Sequence, residues 1–485
     1  MKSVVTILLF LGMICGAAQS ASGVEQGKVP VTTSSEKARK EFLLGQALSD
    51  NLQATKSLEH FDKAISLDPT FATAYLARAI NSLTTKDFFA NIKGAMKNKD
   101  HVSEGERLNI LAVDAGANGN MASQRQYLER LVEQYPNDER ARFTLGTYYF
   151  GQQEYSEAIA QFEKSIQLAD KFAAAYNILG YAYRQVEQYD KAEKVFKKYT
   201  ELIPNDPNPY DSYAELLLKM GRFDESIANY RKALVIDPSF TSSEIGLTMN
   251  YLYQGKSNLA AKKAQRLHDI ARNDGEQRQA FFVEAVVDAD GGYFASALRN
   301  FDKEYAVGEK IKDVGGMSGD LAAKGNVLLE MGRYDEANDA FQASAKKIAQ
   351  SDFSSDIKKN TELFTHYNGA RIAIARGDIK KGESETEMFR LGAEESKNPN
   401  LFRFAHELNG LLALAAKDGD KATTELLQAN QLDPYNLYRI SLAYDLKGDK
   451  AHAKEFCKKA AEFNSLPSLN YAFIRSKAVK MSSLL

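Results

Sequence analysis

The chain has 485 residues, 44% of them apolar and 26% charged, which is enough to bury a core and too apolar for a disordered protein. With 62 basic against 64 acidic side chains, it lacks the cationic surplus that a dedicated nucleic-acid binder needs. Two cysteines and six histidines exclude a disulfide framework and leave little from which to build a Cys/His metal site.

The first twenty residues, MKSVVTILLFLGMICGAAQS, read as a secretory signal. Lys2 gives the positive start, Val4 to Ile14 the apolar run, and Ala18-Gln19-Ser20 a small-residue cleavage site. The run is shorter than the roughly 20 residues that span a bilayer, so cleavage is expected rather than anchoring. Ile14, ahead of Cys15, lacks the small side chain that a lipoprotein signal requires. The mature chain is therefore expected to be exported, periplasmic or extracellular, with no membrane span. Cys457 then has no partner and reads as a buried apolar thiol. Residues 21–36, polar and small, read as a flexible leader.

Beyond residue 36 the chain keeps a rhythm. Helix-ending prolines recur in SLDPTF, EQYPND, LIPNDP, VIDPSF and QLDPYN, at Pro69, Pro136, Pro204, Pro238 and Pro434. Pro204 to Pro238 is 34 residues and Pro136 to Pro204 is twice that, the period of stacked helix–turn–helix units. Within 173–206 the special positions are Tyr176, Leu179, Gly180, Tyr183, Ala192 and Phe196. The unit before shows Leu145, Gly146, Tyr149, Ala158 and Phe162, and the unit after shows Tyr210, Ala214, Leu217, Tyr230 and Ala233. The small residue at the eighth position lets two helices approach, and the aromatic at the twenty-fourth is expected to fill the gap between units. Asn208 before Pro209 reads as an N-cap, and Thr241 with Glu244 as a capping box. The stretch KDVGGMSGD, 312–320, is Gly-rich and reads as a loop or hinge. The tail from 465 offers a last helix to cover the end of the stack.

These positions, seen most fully in YNILGYAYRQVEQYDKAEKVFKKYTELIP, resemble the tetratricopeptide repeat family, and with the leader they resemble bacterial exported members of it. The resemblance is strong over 139–240 and good at 38–71, 318–351 and 403–436. Weaker units fill 72–138, 241–311, 362–399 and 437–464. The family's Trp is absent, with Tyr176 and Tyr210 in its place. The resemblance implies an all-α, right-handed superhelical solenoid of about twelve helix–turn–helix repeats. It divides into a stack at 37–275, a more divergent stack at 276–464 and a capping tail at 465–485. It also implies that a fixed set of first-helix positions lines a concave face. Here those are Phe143, Thr147 and Phe150; Asn177, Tyr181 and Arg184; Asp211, Glu215 and Lys219; and Ile245, Met249 and Tyr253. Aromatic rings beside amide and guanidinium groups suit a peptide groove. The chaperone-tail clamp of some relatives is not matched, since Phe143, Thr147 and Ile178 stand where it needs Lys and Asn.

No phosphate-binding loop, dinucleotide fingerprint, nucleophile elbow or C-x-x-C is present. His406-Glu407 begins like a zinc-protease motif without the second His, and Lys93, Lys97 and Lys99 read as a solvated helix face. The sequence thus points to a non-catalytic scaffold without cofactor or metal, holding a protein or extended peptide in its groove. A self-associating envelope component and an enzyme sited on the solenoid are the alternatives.

Overall fold

The computed structural model describes residues 27–485 apart from 83 and 397, so the secretory signal and the start of the leader lie outside the described residues. These form twenty-five α-helices and one short 3-10 turn, with no strand among the described residues. Twenty-four of the helices pair as hairpins, numbered here 1 to 12. They span 36–67, 72–98, 104–134, 139–168, 173–202, 208–236, 241–270, 274–311, 314–349, 355–396, 399–426 and 434–461. A single terminal helix, Leu469–Ser482, follows. Each helix packs most closely on its hairpin mate and then on the adjacent hairpin, which is the one-dimensional order of a solenoid. Helix packing continues unbroken through 275/276, where the two stacks were divided on sequence.

The joint inside a hairpin repeats. Gly45 faces Phe61, Gly146 faces Phe162, Gly180 faces Phe196 and Gly325 faces Phe341, while Gly410 faces Leu426. A Cβ on Gly180 would lie 2.6 Å from the Phe196 ring, which is wholly buried. The large residue at the twenty-fourth position therefore sits on the small residue of its own hairpin, not between units as the spacing suggested.

Two expected caps are replaced by others. Thr241 is the first helical residue and caps nothing, and Glu244 is fully buried and pairs with Lys263 at 2.8 Å. Asn208 likewise lies inside its helix, where its side-chain oxygen accepts from the Tyr199 hydroxyl at 3.0 Å; Asp206 receives the Asn208 N–H instead. A capping box does form at Ser103 and Glu106.

The Gly-rich stretch is not a loop. Residues from Val314 onward are helical, Asp313 caps them by accepting from the Gly316 N–H, and the turn is made at Lys312 with φ of 58°. Gly316, with Gly308 of the preceding helix, has a packing reason. Arg278 is buried, and its Nη2 donates to both Asp320 oxygens at 2.9 and 3.0 Å. A Cβ on Gly308 or Gly316 would come within 2.0 or 2.6 Å of its guanidinium nitrogens. Burial and the Asp320 carboxylate together hold the neighbouring Glu304 carboxyl well above its ordinary range.

The leader also departs from expectation. Residues 27–35 are without regular structure but not free: the Val29 N–H donates to Asp138 at 2.9 Å and the Thr32 N–H to Glu106 at 2.8 Å.

Hairpins seven apart along the chain touch, so the second superhelical turn lies on the first. Phe89 of hairpin 2 meets Phe353, just before hairpin 10, with ring centres 5.2 Å apart, and Gly315 of hairpin 9 lies against Thr85. Gly119, after hairpin 3's first helix, abuts Asn360 of hairpin 10. Arg403 of hairpin 11 donates to the Gln152 carbonyl of hairpin 4 at 2.9 Å. The terminal helix packs on hairpin 12 and on the first helix of hairpin 8, where Arg475 forms a two-point pair with Asp290. Cys457 is buried beneath it, its thiol donating to the Ala478 carbonyl at 3.1 Å, and burial pushes that thiol up.

Gly180→Leu is expected to lower unfolding free energy by about 1–3 kcal/mol through overpacking against Phe196. Gly151→Ala, with no atom within 4 Å of the new Cβ, should change it by no more than about 0.5 kcal/mol. Urea unfolding of the two variants beside the parent checks both; equal midpoints would remove the close-approach argument.

Candidate functional site

The inner face is set by register. Arg39, Thr73, Glu106 and Arg140 recur at the spacing of one hairpin and mark its start in hairpins 1 to 4. Along hairpins 4 to 7 lie the residues expected to form a peptide groove. The structure brings them to one face but does not leave them open. Phe143 is half-buried, its ring 5.1 Å from Phe172 and 5.8 Å from Phe162, with Leu52 from the turn of hairpin 1 packed in the same cluster. Phe150 meets Tyr155 edge-on at 5.4 Å. Thr147 is exposed, its hydroxyl donating to the Phe143 carbonyl. Asn177, Ile245 and Met249 are buried.

The polar members tie hairpin to hairpin. Tyr181 donates to Glu215 at 2.8 Å, Arg184 pairs with the same carboxylate and lies 4.7 Å from the Tyr181 ring, and Ser243 donates to Asp211 at 2.7 Å. The chain's own far end then covers the row. Lys219 donates to the Phe463 carbonyl at 2.8 Å and sits 3.8 Å from that ring, while Tyr253 donates to the Ser465 carbonyl at 2.6 Å. Burial, with the Arg184 charge, lowers the Lys219 ammonium to about 8. Of the groove expected over 139–253, the end at Lys219 and Tyr253 is thus covered from within, while Thr147 stays exposed. Repeat register tells which side of a helix faces inward, but not which distant segment will occupy the space there.

An open recess does exist, further along. A cavity of 470 Å³ lies on the inner side of hairpins 9 to 12, walled by Tyr367, Phe404, Tyr435 and Tyr438 and closed at one end by Phe473 of the terminal helix. Its floor is a buried polar network. Glu407, 3% exposed, accepts from Tyr367 at 2.8 Å and from Arg439 at 2.7 Å, and these groups with Arg371 hold its carboxyl below the usual range despite burial. Arg439 also lies 4.2 Å from the Tyr435 ring, and Tyr435 donates to Glu330 at 3.0 Å. Arg371 differs from Arg439: its hydrogen bonds go to the neutral amide oxygens of Asn326 and Asn368, so its charge is not spent on a direct carboxylate contact.

The two residues that began like a metal motif diverge. His406 points outward to Glu425 at 2.8 Å, and Glu407 inward to the network. No group of three or more His, Cys, Asp or Glu able to hold a metal occurs among the described residues. The sequence reading missed this recess, although one signal was present: Tyr367–Arg371, Phe404–Glu407 and Tyr435–Arg439 put an aromatic one helical turn before a charge, once per hairpin.

Paired helices stacked in register, with side chains converging on an inner face, define a helical-hairpin repeat protein. A tetratricopeptide repeat model matches residues 208–240 and 434–465, and a model for subunit 3 of the anaphase-promoting complex, cyclosome, matches 118–199. The chain thus carries tetratricopeptide repeats, matched at 208–240 and 434–465, within its stack of helical hairpins. Among curated relatives, DnaJ homolog subfamily C member 7 of Homo sapiens is 23% identical over 314 residues, 63% of this chain and 59% of its own length. Anaphase-promoting complex subunit 3 of Schizosaccharomyces pombe is 26% identical over 157 residues, 32% of this chain and 23% of that protein. Among solved structures, a tetratricopeptide repeat protein from Parabacteroides merdae covers 54% of this chain and 98% of its own, at 13% identity and a TM-score of 0.37. YrrB, described as having an unusual peptide-binding site, covers 37% of this chain and 91% of its own, at 18% identity and a TM-score of 0.25.

A pH dependence follows from Asp211. Its carboxyl keeps a little accessible surface but is crowded inside the superhelix, and burial, reinforced by Glu215 and opposed by the Ser243 hydrogen bond, pushes it up to about 7. The folded chain then holds a proton that the unfolded chain releases near pH 4. This contribution to stability is present at low pH and lost as pH rises towards about 7. Asp211→Asn is expected to flatten the fall in Tm between about pH 4 and 7 and to raise Tm at the upper end. An unchanged slope would assign the titration elsewhere.

Proposed function

We propose that this chain is an exported, non-catalytic scaffold that holds an extended segment of a partner protein in the recess of hairpins 9 to 12. The observation that carries the reading is the arrangement around Arg371, a guanidinium bonded only to neutral amides beside four aromatic walls. Rings supply contact area at small entropic cost, and a cation free of a carboxylate can take an acidic group from a ligand. The expected ligand therefore presents an apolar side chain to Tyr438 and Phe404 and an acidic one to Arg371. The inner face of hairpins 4 to 7 acts in this reading as the rigid wall that fixes the superhelix, and the site shifts from it to the later hairpins.

A photo-crosslinking residue at Tyr438 is expected to trap a partner in the native host, where the same residue at the exposed Val235 traps none. Arg371→Ala, which breaks no ion pair, should weaken the trapped partner by about 2 kcal/mol in a binding titration while leaving Tm nearly unchanged. Equal affinity, or adducts at Val235 alone, overturns the reading.

Export rests on residues 1–20. Mass measurement of the protein from its host is expected to find a chain beginning at Ala21 outside the cytoplasm. A full-length chain in the cytoplasm removes this part.

A further inference from the structure

Residues 28–34, KVPVTTS, lie against Arg39 of hairpin 1, Glu106 of hairpin 3 and Asp138 at the start of hairpin 4. The inner-face register of the first four hairpins is Arg39, Thr73, Glu106 and Arg140, and this segment is bonded to the first and third of them. Its backbone is read on both edges. The Val29 N–H donates to Asp138 at 2.9 Å and the Thr32 N–H to Glu106 at 2.8 Å, while Arg39 donates to the Val31 and Thr33 carbonyls. Side chains enter apolar ground on alternate residues: Val29 packs on the cluster around Leu131 and Leu145, and Val31 on that around Phe42 and Phe71. This is recognition of an extended chain through its main chain, with pockets for every second residue.

Glu106 is the centre of the arrangement. It is 3% exposed and accepts from the Thr32 N–H and hydroxyl, from the Thr73 hydroxyl at 2.7 Å, and from Ser103. The fit is incomplete beside Pro30. A cavity of 110 Å³ remains there, lined by Asn109, whose side-chain oxygen is buried without a hydrogen-bond partner. Proline has no N–H to offer it. The segment therefore leaves one polar group of the surface unmet, as a resident rather than an optimal ligand would.

We propose that the inner face of hairpins 1 to 4 is a second peptide-binding surface, and that residues 28–34 are its displaceable intramolecular occupant. The outside ligand is an extended segment of a partner protein with apolar β-branched side chains two apart, a hydroxyl or amide reaching Glu106, and a residue other than proline opposite Asn109.

The test uses the full mature chain and a fluorescent synthetic peptide, KVPVTTS, added in trans. Thr32→Pro removes the N–H and hydroxyl that hold the segment without altering the surface beneath it. The peptide is expected to bind this variant at least about tenfold more tightly than wild type, because the occupied state no longer competes. Adding Glu106→Gln should cancel that gain, a peptide with alanine for proline should bind more tightly still, and Arg371→Ala should change nothing, which separates this surface from the recess. Equal affinity for wild type and Thr32→Pro, or a gain insensitive to Glu106→Gln, overturns the proposal. Hydrogen exchange on wild type supplies an independent readout. The Thr32 amide is expected to exchange through local opening, faster than the Leu108 amide in the helix below; exchange of both only with global unfolding equally overturns it.

Discussion

A hairpin of some thirty residues has too little apolar surface to fold alone, and everything in this molecule follows from how that deficit is shared. The contact that shares it is a large side chain lying on a glycine, as Phe196 lies on Gly180. Because the glycine has no Cβ, the two helices close up until the ring is wholly buried. The same joint recurs in five of the twelve hairpins, from Gly45 to Gly410, and these present their neighbours with much the same surface. A stack of like parts with a constant step curves steadily, and its inner side becomes a place.

What fills that place divides along the chain. The first hairpins hold residues 28–34, the middle ones hold the turn at Leu52 and the segment around Phe463, and the last ones keep a recess. Arginine serves three distinct purposes on this face. Arg184 is neutralised by Glu215 and acts as a cross-link, Arg39 holds backbone carbonyls, and Arg371 rests on amides. The last makes no direct contact with a carboxylate, though its charge still acts on Glu407. Burial of like-sized residues would have stabilised the wall as well; the polar choice sets how neighbouring hairpins are aligned.

Most of the solenoid was legible in the sequence because its signals are local. A proline that ends a helix, a glycine eight residues into a unit and an aromatic sixteen later report on contacts made within one hairpin. The failures share a cause as well. The stretch 314–319 looked like a loop because the reason for Gly316, the Arg278 guanidinium, comes from a helix some forty residues earlier. The groove at Lys219 looked available because Phe463, which covers it, lies 244 residues away. Thr241 and Glu244 have the spacing of a capping box, yet burial of Glu244 against Lys263 decided where that carboxylate went. Periodicity reports the step between units and is blind to what a full turn of steps brings together.

The clasp between Arg475 and Asp290 gives the molecule a mechanical character. An open repeat coil lengthens like a spring, since each joint yields a little and nothing links one coil to the next. Here a two-point bond joins the last helix to the eighth hairpin, and contacts such as Arg403 to Gln152 lash successive coils together. Pulled at its ends, such a body resists as a stiff barrel until a clasp parts, then gives in one abrupt extension.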